Sequence, residues 1–259
     1  MDVRKSWLLV SMVALVLTVA CGGGGETEAP DESAEPAAAP VDDANAGNIT
    51  GTVMLEGTPP EADTIRMNSD PACSEKTGNA TLTEYYVVGE DGSLANVFVY
   101  FKGEGLDDRS FPVPSNAVEL DQNGCQYSPH VFGIQVGQTL TVRNSDNTLH
   151  NIHATPSTNA EFNTGQPIQG MTFDREFDEV EVMVPFKCDV HSWMNAYVGV
   201  LDHPYFGVSG SGGVFEINTL PPGEYEIEAW HEILGTQTQT ITVGENETVE
   251  VSFTFTVSE

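Results

Sequence analysis

The chain has 259 residues and carries 39 Asp and Glu against 9 Lys and Arg, a formal net charge of −30. So few cations cannot neutralise a phosphate backbone, which excludes nucleic acid as a partner. The length allows one large or two small domains. The acidity reads as a solvated surface, as a field that steers basic partners, or as the mark of a high-salt habitat.

The first segment belongs to no fold. Arg4-Lys5 precedes an apolar run from Leu8 to Ala20. That run is too short to span a bilayer as a helix and suits the core of a signal peptide, so residues 1–20 are expected to direct export. Leu17-Thr-Val-Ala20, directly before Cys21, resembles a bacterial lipobox, with Thr18 standing where Leu is usual. The resemblance implies lipidation of Cys21. It also implies a protein in the periplasm or at the cell surface, attached to the membrane by that lipid. Residues 21–47 read as a disordered acidic linker of Gly, Glu, Asp, Ala and Pro. They cannot bury enough apolar surface to offset their ordering entropy and serve as an extended tether.

From Asn48 onward the pattern is β: short alternating runs rich in branched residues, broken by Gly, Pro, Asn and Asp. Strands are predicted at Gly47–Gly57, before Pro59-Pro60, and at Leu94–Phe101. Glu61–Asn79 is polar, loop-like and holds Cys73. Further strands are predicted within Tyr127–Val142, at Leu140–Arg143, Val182–Phe186 and Tyr197–Leu201, and at Val249–Val257. No helix is expected, and the fold class is all-β.

The strands at Val182–Phe186 and Tyr197–Leu201 flank a loop with Cys188, His191 and Met194 at C-x2-H-x2-M spacing. Taken singly, these are a small buried thiol, a satisfied polar group and core filler. Together they offer a thiolate, an imidazole and a weak axial thioether, lacking one imidazole of a mononuclear blue-copper site. His150 and His153 are the upstream candidates. Being three apart on one strand, they face opposite ways, so one alone can enter the site.

These residues resemble the ligand residues of cupredoxins, with loop spacing similar to the amicyanin type. Asn144 ending a strand, then a short turn and His150-Asn151, matches the upstream part of that pattern. Tyr127-Ser-Pro-His through Thr141-Val142 matches its strand pair. The resemblance runs from about Val118 to Leu201 and implies a Greek-key β-sandwich with one type 1 copper ion. It implies His150, Cys188, His191 and Met194 as ligands, and Asn151 as the residue tying the two ligand loops by hydrogen bonds. Val190 and Ser192 stand where amicyanin-like loops carry prolines, which leaves the His191 ring less rigidly held by the loop itself.

Gly212-Gly-Val-Phe through Ala229-Trp230 resembles the signature of carboxypeptidase-regulatory-like domains, which are small transthyretin-like sandwiches. Asn48–Val53 and Leu94–Tyr100 resemble the opening elements of that family, yet they precede the cupredoxin segment. The expected organisation is a split sandwich, residues 48–102 and 204–259, with a cupredoxin domain at 103–203 inserted in it or fused to it. Domain insertion is tolerated where chain ends lie close together at a surface loop. The alternative is a single enlarged cupredoxin with extra strands.

Cys73 and Cys125 form an even leftover pair in an exported chain and read first as a disulfide. The rival is a second metal site made from Cys73, Cys125 and His130. His153 reads as a surface residue, His130 as a loop or edge residue, and His203 and His231 as structural polar groups. Trp193 either covers the metal or forms an apolar rim with Phe186 and Val190.

The resemblance implies an electron carrier rather than an enzyme. H-x-H pairs of multicopper enzymes, a second loop Cys and a C-x-x-C-H haem motif are all absent from the sequence. The partner expected is a cytochrome c or another electron carrier. A copper-handling or surface-binding lipoprotein is the alternative.

Overall fold

The computed structural model describes residues 43–77, 81–103, 105–106 and 109–257. The expected signal peptide, the lipidation site at Cys21 and nearly all of the acidic linker lie outside the described residues. The regular secondary structure of the described part is nearly all strand, as its period-two patterning predicts.

β1 (Gly47–Glu56) turns Ile49, Val53 and Leu55 inward. A long excursion follows and contains α1 (Pro71–Thr77). β2 (Phe98–Phe101) is buried at every position. The chain continues through β3 (Val118–Gln122), β4 (Tyr127–Ser128), β5 (Val131–Gln135), β6 (Leu140–Asn144) and β7 (His150–Ala154). Next come β8 (Phe162–Gln166), β9 (Thr172–Arg175), β10 (Glu181–Lys187) and β11 (Asn195–Leu201). Last are β12 (Phe206–Val208), β13 (Val214–Leu220), β14 (Gly223–His231), β15 (Gly235–Val243) and β16 (Thr248–Thr256).

Strands β3 to β11 form two sheets, ordered β5-β11-β10-β7-β8 and β4-β3-β6-β9, and the other strands form two more, β13-β1-β16 and β12-β2-β14-β15. Each pair of sheets has its own core. Leu120, Ile134, Val142, Ile152, Phe186 and Val198 belong to the first. Ile49, Val53, Val99, Ile227 and Phe253 belong to the second. β2 and β12, on either side of the β3–β11 segment, run antiparallel side by side, with Phe206 opposite Tyr100 and Val208 opposite Phe98. The chain thus leaves the second sandwich and re-enters it at neighbouring strands.

Two expectations need correction. The stretch read as an unstructured loop contains α1, and its start is chemically specified. Asp70 caps it by accepting from Ala72 N at 2.8 Å, and Pro71 occupies the first helical position, where no amide hydrogen is needed. The predicted strand Leu94–Phe101 is regular only from Phe98 onward. Asn96 has φ of 60°, and the Ser209 hydroxyl donates to Leu94 O (2.8 Å) and accepts from Val97 N (3.0 Å), beside backbone bonds between Ser209 and both Asn96 and Val97.

The two sandwiches interlock at a bare stretch of backbone. Gly133 of β5 and Gly199 of β11 are partners in the parallel ladder. A Cβ on Gly133 would lie 2.3 Å from the Phe206 ring, and one on Gly199 would lie 2.3 Å from the Phe98 ring. Two rings of the second sandwich therefore rest where the first has no side chains. Val131, Met183 and Leu201 close the same apolar cluster around Phe98 and Tyr100. Beside it His130, on the turn between β4 and β5 where a loop or edge residue was expected, is buried. Its Nε2 lies 2.5 Å from Glu232 Oε1 of the other sandwich, and its Nδ1 lies 3.1 Å from Asn195 O.

Burial opposes charge on His130, but the Glu232 hydrogen bond and the carboxylates of Glu232 and Glu84 overcome it, so its pKa lies above the ordinary imidazole value.

Gly199→Ala is expected to destabilise the protein by about 1–3 kcal/mol through overpacking against Phe98, read from urea denaturation midpoints. The raised His130 pKa contributes stability that is complete below about pH 6.5 and is lost as pH rises through the folded value. Urea midpoints across this range should fall with pH in the wild type. Glu232→Gln should flatten that slope, and an unchanged slope would rule out the ion pair as its origin.

Candidate metal centre

Two loops at one end of the first sandwich build the site. The upstream loop follows β6, whose last residue, Asn144, is fully buried. Asn144 Nδ2 donates to Thr148 O (2.9 Å) and Gln166 O (2.7 Å), and its Oδ1 accepts from Asp146 N (2.9 Å). The turn is thereby fixed by its own first residue, and β7 starts at His150 facing inward. The strand's two-residue period turns His153 away. That ring meets Asp189 at 2.9 Å and Glu161 at 3.0 Å on the outer side.

The downstream loop joins β10 to β11, where Lys187 and Asn195 are still paired. Cys188 N donates to Met194 O (3.1 Å) and Met194 N to His191 O (3.0 Å). His191 N donates to Cys188 Sγ at 3.4 Å. Residues 188–194 thus fold over with Cys188, His191 and Met194 all buried. Asn151 links the two loops: its Oδ1 accepts from Asp189 N (2.8 Å) and from the Cys188 thiol (3.3 Å).

His150 Nδ1 and His191 Nδ1 face each other at 2.9 Å, with Cys188 Sγ 3.9 Å from His191 Nδ1. The ligand atoms of His150, Cys188 and His191 all lie within 4.8 Å of one another. The three residues are at most 2% exposed, and Met194 is 1% exposed, so solvent does not compete for them. Burial disfavours a charged Cys188, but hydrogen bonds from His150, His191 and nearby backbone prevail and bring its pKa down to about 6. His150 is likewise held above the ordinary range, as Asp146 and Cys188 outweigh its burial.

The outer nitrogens of both rings meet carboxylates that the sequence reading did not single out. His150 Nε2 is 3.0 Å from Asp146 Oδ2, and His191 Nε2 is 3.1 Å from Asp70 Oδ2. Asp146 also accepts from Gly124 N (2.9 Å) and Cys125 N (2.7 Å). Asp70 accepts from Thr148 Oγ1 at 2.7 Å. The Asp70-Pro71 start of a helix and the turn after Asn144 were the available signals, but neither says which ring the carboxylate reaches.

Cys73 and Cys125, 52 positions apart in sequence, are joined in a disulfide with Cα atoms 5.5 Å apart. Closing a loop of that length stabilises by about 4 kcal/mol in the chain-entropy model. The rival site of Cys73, Cys125 and His130 is overturned, since both sulfurs are bonded to each other and His130 is engaged by Glu232. Two further groupings, Asp70–Cys73–His191 and Cys125–Asp146–His150, are the outer surroundings of the same two imidazoles. Trp193 covers His191, with ring centroids 5.0 Å apart, and its Nε1 donates to Cys125 O at 2.9 Å.

No protein-family model matches this chain, and none of the curated proteins is similar to it. Among solved structures it is similar to an amicyanin mutant in the Cu(I) state, at 22% identity over 34% of this chain and 85% of that one, with a TM-score of 0.30. It is similar to a copper-containing nitrite reductase from Thermus scotoductus, at 19% identity over 37% of this chain and 24% of that one, with a TM-score of 0.32. It is also similar to a purple cupredoxin from Nitrosopumilus maritimus, at 26% identity over 32% of this chain and 98% of that one, with a TM-score of 0.28. These likenesses span about a third of the chain, and the chemistry of the site stands on its own residues.

The donor set fits copper. It combines two inward imidazole nitrogens, a thiol that ionises readily and a buried thioether on the same loop. Two acceptor nitrogens at 2.9 Å repel unless a cation or a proton lies between them. In a Cu(II) titration followed by visible absorbance, His150→Ala is expected to abolish the colour and His153→Ala to leave it. The reverse result would mean that β7 runs in the opposite register.

Proposed function

We propose that the protein is an exported type 1 copper protein that carries single electrons and has no enzymatic activity of its own. In this reading His150, Cys188, His191 and Met194 hold one copper ion. Asn151 ties the two ligand loops together, and the β3–β11 sandwich is a cupredoxin domain nested in the second one. Copper bound there supplies a one-electron couple between Cu(II) and Cu(I).

The observation that carries the reading is the convergence of two imidazole Nδ1 atoms and one low-pKa thiol in a buried site. The roles of the chain's own residues follow from it. Cys188 supplies the anionic sulfur and gives up its proton on binding. His150 and His191 supply neutral nitrogens, and their outer nitrogens are already tied down. The ladder between β10 and β11 and the two hydrogen bonds across residues 188–194 hold the loop in one shape. A rigid donor set of this kind suits a carrier, because little has to rearrange when an electron arrives or leaves. Burial of all four donors supports the same reading over copper handling, which needs the ion to pass readily between partners.

The partner is proposed to be a cytochrome c or another electron carrier with a basic face. The net charge of −30 would draw such a partner in at a rate that falls with added salt. A lipid on Cys21 would keep the protein at the membrane on the outer side of the cell, with residues 22–47 as a tether.

Addition of Cu(II) to the purified mature protein should give an intense visible band at one equivalent of metal, bleached by reductant and restored by oxidant. Cys188→Ala should remove the band. Met194→Leu should keep it and shift the reduction potential, as the axial ligand tunes the couple. A colourless copper complex, or rapid loss of copper to a chelator with slow electron self-exchange, would overturn the carrier reading.

A further inference from the structure

The outer edges of the two imidazoles are as closely controlled as their inner ones. Asp146 is 3% exposed and is held by the backbone amides of Gly124 and Cys125 as well as by His150 Nε2. Asp70 reaches His191 Nε2 while its other oxygen caps α1 through Ala72 N. It arrives on the excursion after β1, which begins in the second sandwich and buries Ile65, Met67 and Cys73 in the core of the first.

The disulfide joins the two carboxylate supports. Cys125 supplies an amide to Asp146, and Cys73 sits on the helix that Asp70 caps. The Cys73 sulfur lies 3.7 Å from His191 Nε2. Thr148 adds a third link, since its hydroxyl donates to Asp70 from the turn that carries Asp146.

A carboxylate against Nε2 keeps the proton on that nitrogen and leaves the Nδ1 lone pair facing inward. It also makes the ring a stronger donor. A negative charge in a poorly screened place favours the more positive state of a nearby metal. We infer that Asp70 and Asp146 are positioning residues which hold His191 and His150 with Nδ1 toward the centre and bias bound copper toward Cu(II). The Cys73–Cys125 disulfide keeps both in place. The first part concerns the chain alone, and the bias rests on the reading given under Proposed function. Asp146, being buried, should act more strongly than Asp70, whose side chain is 20% exposed.

Nitrogen-15 NMR of the copper-free full-length protein tests the positioning. Both rings should carry a proton on Nε2, with one further proton shared between the two Nδ1 atoms, and Asp70→Asn and Asp146→Asn should lower the Nε2 protonation of His191 and His150 respectively. Metal titration and voltammetry test the bias. Each Asn variant should bind Cu(II) about 10- to 100-fold more weakly with Cu(I) affinity nearly unchanged. Each tenfold change in that ratio raises the potential by about 59 mV. Asn keeps the side-chain shape and the oxygen that caps α1, so thermal unfolding should move little in Asp70→Asn. The double variant Cys73→Ser/Cys125→Ser should shift the potential the same way. A wild-type protein without blue absorbance would overturn the copper reading and the bias with it, leaving the Nε2 protonation to decide the positioning. A blue wild type whose Asn variants keep both Nε2 protonation and potential would overturn this inference alone.

Discussion

Two imidazole nitrogens held at 2.9 Å from each other are the constraint on which the rest of the molecule depends. At that distance either one ring donates a proton to the other or a cation lies between them, and a short loop cannot aim both rings so unaided. The work is shared among β7, which aims His150 inward, the hydrogen bonds that close residues 188–194, and carboxylates behind both rings. Val190 and Ser192 flank His191 on the loop, and its ring is restrained from outside by Asp70 and Trp193.

That external restraint explains why the second sandwich is more than an appendage. Its first strand leads into the excursion that delivers Asp70 and half of the disulfide. Its rings at Phe98 and Phe206 seat on Gly133 and Gly199. β11, which carries Gly199, begins one residue after Met194. The strand that leads out of the ligand loop is thus the same one on which the second sandwich rests.

The all-β character and the grouping of Cys188, His191 and His150 could be read from the chain because they rest on local facts: period-two alternation, spacing within one loop, and a His-Asn pair after a strand end. Asp70 and Asp146 could not. Each is one acid among 39, and what sets it apart is a contact with a ring on another loop, 121 residues away in the case of Asp70. The pairing of His130 with Glu232 was hidden for the same reason, since it joins residues 102 positions apart. Helix α1 was hidden differently: seven residues are too few to show a helical period, and its Asp-Pro start resembles any turn.

The pairing of β1 with β16 has a mechanical consequence. The two strands run parallel and in continuous register from Asn48↔Thr248 to Glu56↔Thr256. The segment before β1 and the segment after β16 consequently leave from opposite ends of this ladder, about 26 Å apart at the usual strand rise. Tension applied through those two segments would load the ladder in shear, so that its hydrogen bonds resist together rather than opening one after another like a zip. With tension in this direction, the load falls first on the β1–β16 ladder rather than on the β3–β11 strands.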